Sequence, residues 1–157
     1  TTANSNVLAL QALVGNPEQL TYFRDNIDRA LDLLPELIRY TSMAATQFRI
    51  ALEDIELDGK TIKKGDFILL SQAAAHRDSD KFDSPEALDL SRDASGHLSF
   101  APGLHFCLGH YLARLELSIF FKHLVARFDN IAIPEQKTVH NGNFVFRGIE
   151  SLQVSFS

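Results

Sequence analysis

From His76 to Phe106 the chain shows almost no hydrophobic periodicity. It then turns through Pro102-Gly103 to a single cysteine, Cys107, and runs into a long apolar segment. Irregular stretches longer than about 12–15 residues are uncommon inside compact domains and are usually functional. Any fold adopted by this sequence must hold that stretch from the elements on either side. Its chemistry is concentrated at the far end, Phe100-Ala101-Pro102-Gly103-Leu104-His105-Phe106-Cys107-Leu108-Gly109.

Cys107 is the only cysteine, which excludes an internal disulfide and a multi-cysteine zinc or iron–sulfur site. A lone cysteine most often serves as a small buried hydrophobe. This one follows a Pro-Gly turn and precedes a helix, whose unpaired, partly positive backbone amides favour thiolate over thiol. Thiolate binds iron and pushes electron density onto it, favouring cleavage of a bound O–O bond. Gly103 and Gly109 remove side chains where a flat macrocycle would approach the backbone closely. His105 can donate a hydrogen bond to an acidic group on the edge of such a ligand. A histidine beside a lone cysteine could instead mean a cysteine–histidine nucleophile pair, a minor reading, since it needs an oriented third group and no local signature supplies one.

Helical spacing predicts helices near 5–14, 17–25, 32–41 and 108–128. Gly15 is placed to end the first, and Asn16-Pro17-Glu18 to start the second. Leu20, Phe23, Ile27, Leu31 and Leu34 continue at helical spacing. Pro35 either kinks a long helix or sits in the first turn of one capped by Asp32. In the last helix, Leu112, Leu115, Ile119, Leu124 and Phe128 read as the apolar side. Small antiparallel sheets are expected near 47–71, with Asp58-Gly59 as a hairpin turn, and near 144–156, where residues 144–148 and 152–156 read as a closing hairpin.

With 45% hydrophobic and 22% charged residues, the composition suits one globular domain. A net charge of −5 without a basic stripe argues against nucleic acid binding. The longest apolar runs, such as Ile68-Leu69-Leu70, are too short for a membrane span. No basic leader or apolar signal opens the sequence, so a cytoplasmic location is expected. The chain starts abruptly at Thr1-Thr2-Ala3-Asn4, as though inside a helix of a longer protein.

Phe100, Gly103, His105, Cys107 and Gly109 resemble the haem loop of the cytochrome P450 monooxygenases, Phe-x-x-Gly-x-His/Arg-x-Cys-x-Gly. Glu36-Leu37-Ile38-Arg39 resembles the family's Glu-x-x-Arg helix, and Arg92 in Asp89-Leu90-Ser91-Arg92 its third partner. Ala75-His76-Arg77-Asp78, Leu108 to Glu116 and Arg147 to Leu152 resemble further family segments in the same order. Thr1-Thr2-Ala3-Asn4 looks like the end of the family's oxygen-binding helix. Departures are Ala101 where glycine is usual, Met43 and Ser79 where proline is common, and Pro35 inside a helix.

The resemblance implies a mostly helical α+β fold: the C-terminal haem-binding half of the cytochrome P450 fold, with small antiparallel sheets. Residues 1–157 would form a single partial domain, with the family's N-terminal half absent. Cys107 would ligate the iron of haem b, with Phe100 packed beside the thiolate and Gly103 and Gly109 shaping the loop. His105 and Arg49 would hold the haem propionates. Thr1 would deliver protons to bound oxygen. Glu36, Arg39 and Arg92 would clamp the long loop and touch no substrate.

The parent protein would then insert one atom of dioxygen into an apolar organic substrate, using electrons from a ferredoxin- or flavodoxin-type donor. Residues 44 to 48 and 143 to 146 would face that substrate. A truncated, non-catalytic haem-binding remnant is an alternative, as is a haem-free cysteine hydrolase or interaction module.

Overall fold

Helix α1 is the central element, Thr2–Val14, already helical from the second residue rather than from residue 5. In this computed structural model, which describes residues 1–136 and 138–157, α2 (Pro17–Asp25) follows after Gly15 and Asn16. Gly15 ends α1 in a right-handed conformation (φ −72°), so no left-handed glycine cap operates there. Asn16 makes no side-chain cap for α2; its Nδ2 donates back to the Ala12 carbonyl at 2.8 Å, closing the end of α1 instead.

A 3-10 turn, Ile27–Arg29, leads into α3, Ala30–Thr41. The break before α3 is therefore this turn. Pro35 lies in the sixth position of a continuous helix, and Asp32 is no cap but a surface partner of Arg29 (3.3 Å). Proline cannot donate to the Leu31 carbonyl, and Leu31 is half-exposed, so water can satisfy that group. The same exposure removes Leu31 from the apolar series expected from the sequence. The core is built from Leu13, Phe23, Leu34, Leu37, Leu117 and Phe121, all essentially inaccessible. Phe23 and Phe121 meet edge to face at 6.0 Å. Each such side chain contributes roughly 1.5–3 kcal/mol on burial.

Strand β1 (Thr46–Ile50) pairs antiparallel with β4 (Phe67–Ser71), Arg49 lying opposite Ile68. Between them β2 (Ile55–Leu57) and β3 (Lys60–Ile62) form a hairpin through Asp58 (φ 49°) and Gly59 (φ 71°), the positive-φ pair a tight two-residue turn needs. The region 47–71 is thus two ladders. A short helix, α4 (Gln72–Ala75), follows, capped by Ser71 accepting from the Ala74 amide; four residues are too few for hydrophobic spacing to mark it in the sequence.

Helix α5, His110–Arg127, closes the core. Its buried face is Leu117, Ser118, Phe121 and Val125; of the apolar side read from the sequence, Leu124 and Phe128 pack against the core, while Leu112, Leu115 and Ile119 are exposed. Arg24 reaches from α2 to donate to the Val125 and Phe128 carbonyls at the end of α5. The closing hairpin is also corrected. Residues 144–148 form no strand; β5 (Ile131–Ala132) pairs with β8 (Ser155–Phe156), and β6 (Val139–His140) with β7 (Ile149–Ser151). Asn143 explains the irregularity, because its Oδ1 accepts the amides of Val145 and Phe146 and removes them from any ladder.

Candidate functional site

The cysteine loop is built from backbone bonds. Ala101 N–H donates to the Leu98 carbonyl (2.9 Å), Phe106 to Gly103 (3.0 Å), Cys107 to Phe100 (2.9 Å) and His110 to Cys107 (3.3 Å). Ala101 and Gly103 both take positive φ, 57° and 101°, and the second suits only glycine. Cys107 is half-buried, two residues before the Gly109 cap of α5. A Cβ at Gly103 or Gly109 would meet nothing within 4 Å, so open space adjoins the loop on both sides of the cysteine. Leu104 and Leu108 are fully exposed, and His105 is exposed with no hydrogen-bond partner among the described residues.

Behind the loop, the Phe100 ring lies 5.4 Å from His97 and 5.9 Å from His110, with the Arg114 guanidinium 5.2 Å away. His97 is pushed down to about 4, chiefly by burial and then by the charge of Arg114. His97 Nε2, His110 Nδ1 and Arg114 Nε are buried without partners among the described residues. Neither Arg114 nor His110 is a site candidate from sequence, because a polar side chain on a helix that carries several others gives no directional signal by itself.

Two clefts flank this centre. Arg49 on β1 shares one of about 290 Å³ with Gln47, Leu70, Gln72, Leu98 and Pro102, so the arginine and the edge of the cysteine loop face the same space. Its guanidinium donates to the Phe48 carbonyl (2.8 Å) and Gln47 Oε1 (3.1 Å). The other, apolar and about 40 Å³, lies among Ser5 and Ala9 of α1, Met43, Ala44, Phe100 and Ala113 of α5. Thr1 sits one helical turn before Ser5, on the same side of α1, and is exposed. Residues 43–48 and 144–147 are brought together: Ala44 bridges Phe146, Ala45 N–H donates to Val145, and Phe48 meets Phe144 edge to face at 6.1 Å.

Glu36 and Arg39 form a buried pair, which the partly buried Arg92 joins. Glu36 accepts Arg39 through both oxygens (2.6 and 2.8 Å), and its Oε1 also accepts Arg92 Nε (3.3 Å) and the Asp89 amide (3.0 Å). Arg39 donates further to the carbonyls of His76, Pro85 and Ala87. Arg92 reaches those of Asp83 and Ser84. The loop 76–92 is therefore held by its main chain to α3.

A half-domain of helices around α1, carrying a glycine-flanked cysteine loop at the head of a long helix, is the haem-binding part of a haem-thiolate protein class. The family model for cytochrome P450 matches residues 24–156, and the chain belongs to that family, whose members bind haem b. It is 41% identical to cytochrome P450 CYP107DY1 of Priestia megaterium, over 99% of this chain and 38% of that relative. Among solved structures it is similar to P450BioI in complex with a hexadec-9Z-enoic acid ligated acyl carrier protein: 36% identity, TM-score 0.95, covering 99% of this chain and 41% of that one. It also matches the CYP116B5 heme domain of Acinetobacter radioresistens at 30% identity and TM-score 0.96, over all of this chain and 38% of that one. The chain spans about two fifths of the length of these proteins. Among the described residues no helix is long and apolar enough to cross a membrane.

Proposed function

We propose that this chain is a single partial domain supplying the haem-binding part of a cytosolic haem-thiolate monooxygenase, with Cys107 as the iron's thiolate ligand. The observation that carries this is the open space beside Gly103 and Gly109, on either side of a half-buried cysteine whose amide is tied to Phe100. A flat macrocycle has room to approach the loop there.

Arg49 lies in the cleft shared with Pro102 and is suited to hold a propionate by charge-assisted hydrogen bonds. His105, exposed on the loop, supplies a second donor. Phe100 packs behind the cysteine, with its carbonyl fixing the Cys107 amide. Thr1 offers a hydroxyl at the end of the α1 face that lines the apolar cleft, and there holds a proton for delivery. Glu36, Arg39 and Arg92 position the long loop.

Bound haem supplies reductive activation of dioxygen: with two electrons and two protons, one oxygen atom enters a C–H bond and the other leaves as water. Ala44, Ala45, Phe48, Phe144, Val145 and Phe146 lie in the two segments that meet beside the apolar cleft and would supply apolar surface to an apolar organic substrate. The electrons would come from a ferredoxin- or flavodoxin-type donor. A cysteine hydrolase would need a histidine bonded to the cysteine and oriented by a third group; His105 has no such bond among the described residues.

The test is to reduce the haem-loaded, full-length protein under carbon monoxide and record its absorption spectrum. A strongly red-shifted Soret band is expected, lost in Cys107→Ser. An unchanged spectrum in that variant would reject the assignment.

A further inference from the structure

His76 is completely buried, and its imidazole touches neither cleft. Both ring nitrogens are nevertheless committed. Nε2 lies 2.9 Å from the Leu98 amide and accepts its hydrogen, so the ring proton belongs on Nδ1. Nδ1 lies 2.8 Å from Ser42 Oγ, which in turn donates to the Arg39 carbonyl at 2.7 Å. The chain of bonds has one direction and admits one tautomer. The Leu98 carbonyl is held as well, by Gln72 Nε2 of α4 and by the Ala101 amide that opens the cysteine loop. Leu98 is thus gripped at both backbone groups, by side chains from one short helix and its cap. Two residues later the Phe100 carbonyl receives the Cys107 amide.

We propose that His76, seconded by Gln72, is the positioning residue of the cysteine loop: it fixes Leu98, and through Leu98 and Phe100 the backbone from which Cys107 hangs. The other end of the device is rigid. Ser42 terminates α3 in a left-handed conformation, and the His76 carbonyl accepts from Arg39, itself locked to Glu36. Cysteine placement is thereby referenced to the buried ion pair of α3, across an irregular stretch with no ladder of its own. A histidine that merely filled core volume would need neither bond, and phenylalanine would replace it without effect on the loop. The inference rests on Cys107 being the thiolate ligand only for its spectroscopic consequence.

The experiment compares full-length protein carrying His76→Phe, His76→Gln, His76→Asn and, as a core control outside this network of hydrogen bonds, Leu34→Ala. Two quantities are read: hydrogen exchange at the Cys107 amide, and the rate at which the reduced carbon monoxide complex of the haem-loaded protein loses its red-shifted Soret band. His76→Phe leaves the Leu98 amide unsatisfied, so roughly tenfold faster exchange and roughly tenfold faster band loss are expected. Gln can extend an amide oxygen to the Leu98 amide and should stay within about twofold of the parent, while the shorter Asn should not rescue. Leu34→Ala should lower Tm without moving either quantity.

Equal exchange in His76→Phe and the parent overturns the inference. So does rescue by Asn as complete as by Gln, or an effect of Leu34→Ala matching that of His76→Phe. If the parent lacks the red-shifted band while His76→Phe still accelerates exchange at Cys107, the thiolate assignment fails and the positioning role stands.

Discussion

Ala101 carries a left-handed backbone (φ 57°) at the position where the family motif usually has glycine. A Cβ in that region costs roughly 1–2 kcal/mol. Glycine returns roughly 0.4–1 kcal/mol of that through its more flexible unfolded chain. Ala101→Gly should therefore stabilise the protein by roughly 0.5–1 kcal/mol, a Tm increase of about 2–4 °C or less. A thermal melt checks this, and a lower Tm would show that the loop holds its alanine without strain. At this scale the motif residues were legible, because Phe100 to Gly109 are contiguous and their spacing is their signal. His76, Gln72 and Arg114 were not. Each acts on a residue at least 14 positions away in the chain, and no local pattern records that.

Among the elements, α3 and the loop 76–92 depend on one another through Glu36. Its carboxylate is 1% exposed and balances Arg39, which is fully buried. Removing one partner leaves the other charge buried and uncompensated, at about 3–5 kcal/mol. Glu36→Gln should lose about that much in urea unfolding, and a loss below about 1 kcal/mol would mean that the carbonyls around Arg39 suffice by themselves. The spacing of Glu36 and Arg39 was visible in the sequence, but its burial was not, since the same i, i+3 pair on a surface helix contributes little. Helix α5 taught the converse. Its apolar residues are spread around it, Leu112, Leu115 and Ile119 exposed and Leu117, Phe121 and Val125 buried, so periodicity could find the helix but not choose its buried face, which was settled by where Phe23 and α1 lie. The tail failed for a related reason: residues 144–146 have strand-like composition, yet Asn143 and the contact with residues 43–46 occupy their backbone.

For the whole molecule, the two histidines behind the loop predict how stability follows pH. His76 is held at about 4, mainly by burial and then by the charges of His97, Arg39 and Arg77; His97 is held at about 4 by burial and then by Arg114. In the unfolded chain both titrate near 6.5. Between these values the unfolded state binds more protons, so stability falls as pH drops from about 6.5 towards 4, and the full contribution is present only above about 6.5. Tm measured between about pH 7 and 5, above the range of ordinary carboxylates, should fall steadily. His76→Gln should reduce that slope by about half, whereas a flat profile for the parent would contradict the burial of both rings.

The sequence by itself determined the four longer helices, the cysteine loop and the family, because these depend on contacts between near neighbours or on a motif of contiguous residues. Only the tertiary structure decided which face of α5 is buried, how the tail strands pair, and that His76 grips the backbone leading to Cys107. Those depend on which elements meet in space, and a one-dimensional pattern of polar and apolar residues is equally compatible with more than one such meeting.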